Sequence, residues 1–124
     1  MKLVKRTVEE HDVPRGVLAG SEISEATVGA RNIFLGRFRV PAGTQSRPHY
    51  HARVESALYM LSGRLEIKYG DSFEETLTIE PGDMLYVGPD ETHLVSNASD
   101  TEPAEYVVAR DSAHDDSVEV PWSG

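Results

Sequence analysis

Residues 43–55 read Gly43-Thr44-Gln45-Ser46-Arg47-Pro48-His49-Tyr50-His51-Ala52-Arg53-Val54-Glu55. His49 and His51 are one residue apart, so on a strand both imidazoles project from the same face. Glu55 falls on that face too if the strand runs on without a bulge. Three ligand-type side chains would then converge. Downstream, Leu65, Ile67 and Tyr69 alternate with Arg64, Glu66 and Lys68, the period of two that a half-buried strand requires.

Similar short runs recur at 33–40, 57–61, 76–79, 83–87, 93–96 and 104–110, each bounded by Gly, Pro, Asp or Asn. Ser62-Gly63 and Gly70-Asp71 suit hairpin turns, and Glu80-Pro81-Gly82-Asp83 places Pro and Gly where a type II turn wants them. Many short strands with turn punctuation predict an all-β sandwich or barrel. The stretch Gly20 to Ala26 reads equally as a short capped helical turn or an irregular approach to a strand. After Arg110 the chain turns polar and acidic, which predicts a tail over 111–124 that leaves the barrel, with Trp122 docking on it or on a partner subunit.

His93 follows the Pro81-Gly82 turn in a strand-like run, and an antiparallel neighbour would present it across the interior to His49, His51 and Glu55. Three neutral imidazoles and one carboxylate suit a single divalent transition metal, and Fe(II), Mn(II), Ni(II), Cu(II) and Zn(II) all accept such a set. The sequence has no cysteine, which removes disulfides, zinc ribbons, iron–sulfur ligation and thiol nucleophiles together. Any metal must therefore sit on nitrogen and oxygen.

The 124 residues, 39% of them apolar and 27% charged, are enough for one packed domain and too few for two of full size. A net charge of −9 repels phosphate backbones and anionic lipid heads, so neither nucleic acid nor a membrane is expected as partner. The sequence shows no secretion signal and no stretch that would span a bilayer, which predicts a soluble cytoplasmic protein.

The segment from Gly43 to Glu55 resembles the first cupin motif: a Gly, five residues, His-x-His, a short spacer and Glu. Leu58-Tyr59-Met60-Leu61-Ser62-Gly63 is similar to that motif's closing strand and turn. Gly82-Asp83-Met84-Leu85-Tyr86-Val87-Gly88-Pro89-Asp90-Glu91-Thr92-His93, followed after three residues by Asn97, resembles the second. Two departures stand out. The motif's Pro-x-Gly reads Gly88-Pro89-Asp90, where Asp tolerates the left-handed conformation of a loop glycine. The gap from Glu55 to Gly63 is one residue longer than the commonest spacing, which implies a bulge near Glu55.

The resemblance implies a double-stranded β-helix, a jelly-roll barrel, with its core at about 31–110, an N-terminal arm over 1–30 and the metal in the barrel mouth. It also implies a homodimer, paired through a sheet face or an exchanged N-terminal strand. Such a site suits a metal-dependent enzyme acting on a small oxygen-rich molecule, a dioxygenase or related oxidoreductase first. Redox-neutral isomerase, decarboxylase or lyase chemistry on a polar acid and a non-enzymatic small-molecule-binding module are the alternatives.

Glu55 unliganded, Tyr59 and Tyr86 are the candidate acid–base groups. Arg47 and Arg53 are candidates to clamp a substrate carboxylate, and Gln45 to contact substrate or a ligand. His11 and His114 stand alone in polar surroundings and are left out of the site.

Overall fold

The computed structural model describes residues 1–7, 11–12, 16–114 and 117–121. Trp122 lies outside them, and with it the expectation that this side chain docks. Among the described residues, eleven antiparallel strands form two facing sheets. The first sheet runs in the order β1 (His11–Asp12), β2 (Leu18–Ile23), β3 (Phe34–Val40), β10 (Ala104–Arg110), β5 (Ser56–Ser62) and β8 (Met84–Val87). The second runs β11 (Ser117–Glu119), β4 (His49–His51), β9 (His93–Ser96), β6 (Leu65–Tyr69) and β7 (Glu75–Ile79). This is the expected jelly roll.

Alternation fixes which side chains meet between the sheets. In β3, Phe34, Phe38 and Val40 are buried while Leu35 is exposed; in β5, Ser56, Leu58 and Met60 are buried while Ala57, Tyr59 and Leu61 are exposed. A slip of one residue would exchange these sets, so burial pins the register. Phe34 stacks on Phe38 and Phe38 on Tyr106, with ring centroids 6.2 and 5.7 Å apart, and Met60 and Leu65 are fully enclosed beside them.

At the Ser62-Gly63 turn Gly63 has φ +75°, and a Cβ there would lie 2.5 Å from the Pro103 carbonyl oxygen. Only glycine fits that corner. Asp90 adopts φ +60°, the left-handed conformation expected at the place of a loop glycine. Its backbone N–H donates to the His51 carbonyl at 3.1 Å and its Oδ1 accepts from the Arg53 N–H at 3.2 Å, so the loop is tied to the end of β4. Asn97 is buried, donates to the carbonyls of Val40 and Glu102 and accepts from Ser99 N–H, the knot of a turn.

Sheet membership reaches beyond 31–110 at both ends. The ambiguous stretch near residue 20 resolves into both readings in succession: β2 pairs with β3 across a register shift, and Ser24 then caps a single helical turn, α1 (Glu25–Val28), in a reciprocal box with Thr27. On the C-terminal side the chain does not simply leave the barrel. Strand β11 returns and pairs with β4, setting Ser117 opposite His51 and Glu119 opposite His49. Its three residues are too few for alternation to reveal, and the polar loop before it masks the return.

Candidate metal centre

His49 and His51 lie on the same face of β4, and β9 places His93 directly across from His49. All three are buried, at 2%, 4% and 7% exposure, and one ring nitrogen from each lies within 4.8 Å of the others. Ring centroids are 4.5 to 5.7 Å apart.

The outward ring atoms are engaged. His49 Nδ1 is 2.8 Å from the Arg47 carbonyl and His93 Nδ1 is 2.8 Å from the Glu91 carbonyl. A carbonyl only accepts, so each Nδ1 carries the hydrogen and donates it, leaving Nε2 as the lone-pair nitrogen. His51 Nδ1 pairs with Ser117 Oγ at 3.2 Å. Three imidazoles held by outward hydrogen bonds and turned toward one centre form a donor set that, in its neutral form, fits a divalent transition metal.

Glu55 is not brought to this cluster, which corrects the expectation of a fourth ligand. Strand β4 ends at His51, Ala52 and Arg53 turn with Arg53 at φ +60°, and the chain re-enters a strand only at Ser56. The turn shifts the alternation by one. Glu55 is exposed and accepts a 2.8 Å hydrogen bond from the Tyr86 hydroxyl, while Ser56 points inward, 6% exposed, and lines the cavity with the three imidazoles. The bond to Glu55 pushes the Tyr86 hydroxyl pKa above its usual value of 10.0. Ser56 was findable: the spacing back from Gly63 that is one residue too long for Glu55 is correct for Ser56.

The remaining candidates scatter. Gln45 is exposed, and it is Ser46, beside it, that turns inward to accept from Val95 N–H. Arg47 is exposed and paired with Glu119 at 2.9 Å. Arg53 is exposed in the turn, and Tyr59 faces outward from β5. Tyr86 is 62% exposed but borders the site's opening. His114 pairs with Glu25 at the surface, 3.2 Å away.

Sequence reasoning missed Arg110, which is 6% exposed and lines the cavity of the histidines, its guanidinium 4.8 Å above the Phe34 ring. A strand-end arginine carries no signal of inward direction until register is known. Glu91 was missed as well: it stands with Tyr86 and His93 around the outer cleft and accepts from Gly88 N–H at 2.7 Å.

The inner cavity measures only ≈ 30 Å³, room for about two water-sized groups. It adjoins an open cleft of ≈ 130 Å³, with which it shares Ile67, Leu85, Val87 and His93. Tyr69, Leu77 and Tyr86 give that cleft a largely apolar lining.

The Cupin_2 family, described as Cupin domain, matches residues 36–110. A polyketide synthase, CurC of Streptomyces cyaneus, is 28% identical over 105 residues, which span 82% of this chain and 66% of that protein. The polyketide cyclase RemF from Streptomyces resistomycificus superposes with a TM-score of 0.80 at 21% identity, over 99% of this chain and 87% of that one. An oxalate oxidase in complex with the substrate analogue glycolate gives 0.73 at 20% identity, over 87% of this chain and 57% of that one. This chain thus spans less than two thirds of the length of CurC and of the oxalate oxidase. With a family match over more than half of its residues, on the fold and histidine cluster described above, the chain belongs to the cupin family.

Proposed function

We propose that this protein is a metal-dependent enzyme in which His49, His51 and His93 hold one divalent transition metal and act on a small oxygen-rich molecule. The observation that carries the reading is the outward engagement of all three Nδ1 atoms, on three buried rings whose ligand nitrogens converge within 4.8 Å of one another. Such an ion supplies Lewis acidity, polarising a substrate carbonyl. The chain's own part is to position and exclude. The inner cavity admits only the reacting end of a ligand, and the apolar cleft takes the body of the molecule and sheds water from around it. Tyr86 and Glu91 at the cleft are the groups available to move protons.

Redox-neutral chemistry, an intramolecular carbon–carbon condensation or related isomerase or lyase step on a polyketone-like substrate, is the first reading. It draws support from the sequence relative CurC, a polyketide synthase, and from the apolar cleft, which suits a substrate larger than oxalate. Oxidative, dioxygenase-type chemistry is the second, in keeping with the oxidase likeness. Elemental analysis of tag-free protein tests the foundation: about one metal per chain is expected, lost in a His49→Ala, His93→Ala variant. No metal in either sample, and none taken up on soaking, sinks the enzyme reading and favours a binding module. Dioxygen consumption by the Fe(II) form on enolised diketones would put the oxidative reading first.

The proposal extends to a homodimer. On the outer face of β5 and β8, Met84, Tyr59 and Leu61 are 79%, 44% and 37% exposed. Two copies each carrying −9 repel, so they pair best through a face poor in charge. Light scattering at micromolar concentration should give twice the chain mass, and a Met84→Lys, Tyr59→Lys variant the single mass.

A further inference from the structure

Opposite the histidines, one row of side chains crosses the inner face of the first sheet. The register sets Arg110 beside Phe34 on one flank and beside Ser56 on the other, and Ser56 beside Val87. Arg110 and Ser56 are each 6% exposed, and both line the cavity that the three imidazoles line. Ser56 Oγ is fully enclosed and has no hydrogen-bond partner. Buried hydroxyls are normally satisfied, so an unmatched one directed at a cavity marks the place of an absent group. The guanidinium is permanently charged, presents a planar fork of donors and is held over Phe34 and Phe38, at 4.8 and 5.8 Å from their centroids. Among the described residues lining this cavity there is no carboxylate.

We propose that Ser56 and Arg110 form an oxyanion subsite facing the histidine cluster, so that the site takes a delocalised two-oxygen anion, one oxygen toward the imidazoles and the other toward the hydroxyl and guanidinium. This deepens the metal reading and rests on it. The geometry assigns to Arg110 the anion-clamping role that Arg47, paired outside with Glu119, and Arg53, in the surface turn, do not fill. It also confines the anion to a compact head: a cavity of ≈ 30 Å³ takes the two oxygens of a carboxylate or of one enolised dicarbonyl unit, with the rest of the molecule in the outer cleft. These two heads share the recognition chemistry, and the assay separates them.

The experiment loads the protein with Co(II), verifies stoichiometry by elemental analysis and measures binding of three probes by calorimetry: benzoate, acetylacetone at a pH where it is the enolate anion, and neutral imidazole. Wild type should bind one of the two anions. Ser56→Ala and Arg110→Met should each weaken it tenfold or more while metal stoichiometry stays at wild type and imidazole affinity changes less than twofold. Arg110→Lys, which keeps the charge within the stack, should fall between, and it stands in for Arg110→Met if the latter unfolds. Preference for benzoate identifies a carboxylate head, and preference for acetylacetone an enolised dicarbonyl. Unchanged anion affinity in the variants, an equal loss of anion and imidazole, or no binding of either anion by metal-loaded wild type would overturn the subsite. Wild type that takes up no metal would instead overturn the metal reading beneath it.

Discussion

Glu55 faces outward onto Tyr86 and Ser56 inward onto the cavity, and each placement can be measured. Glu55→Gln should leave metal content unchanged, because its carboxylate lies outside the barrel, while lowering the Tyr86 pKa toward 10.0 in an ultraviolet titration. The sign follows from the native bond: the folded protein holds the phenolic proton more tightly than the unfolded chain does. Its contribution is present below pH about 10 and is lost as pH rises through the native value. Ser56→Glu, conversely, sets a carboxylate beside the imidazoles and should tighten Zn(II) binding at least tenfold in a competition with a chelator. His49 and His51 were legible because period two alone carries them to one face, and His93 because it closes the second glycine-framed motif. Glu55 was misassigned because a two-residue turn between strands leaves no mark in a side-chain pattern, only in the count to Gly63.

At the scale of elements, two short pieces decide how firmly the site is held. Strand β11 contributes Ser117 to His51, so Ser117→Ala should weaken metal binding by about ten- to a hundredfold with little change in the circular dichroism spectrum. The Gly63 corner joins β5 to β6 against Pro103, and Gly63→Ala should cost about 2 kcal/mol or more in denaturant unfolding, from left-handed strain and from the clash together. The corner was legible as Ser-Gly between two alternating runs. Strand β11 was not, because its partner β4 is local neither in sequence nor in pattern: a polar tripeptide becomes a strand only when another strand's edge is waiting for it.

For the whole molecule, the two sheets close on a core in which Met60 is fully buried, 0% exposed. Met60→Ala should lower stability by about 2–5 kcal/mol, read from the shift of a urea midpoint at constant slope. The jelly roll was legible as a set of alternating strands with turns at regular intervals, and the two glycine-framed motifs placed the site within it. The outline of the cavity was not, since the inward direction of Arg110 depends on a register that pairs it with residue 34 on one side and residue 56 on the other.

Strand β11 also orders events in time. On the ribosome all three imidazoles have been made once residue 93 emerges, yet the hydroxyl paired with His51 lies 66 residues beyond that ring. Until it arrives, β4 is an outer edge of its sheet and His51 Nδ1 has yet to meet that hydroxyl. A nascent barrel would therefore offer an ion a looser grip than the finished one, because the edge that orients His51 is completed only when the chain doubles back.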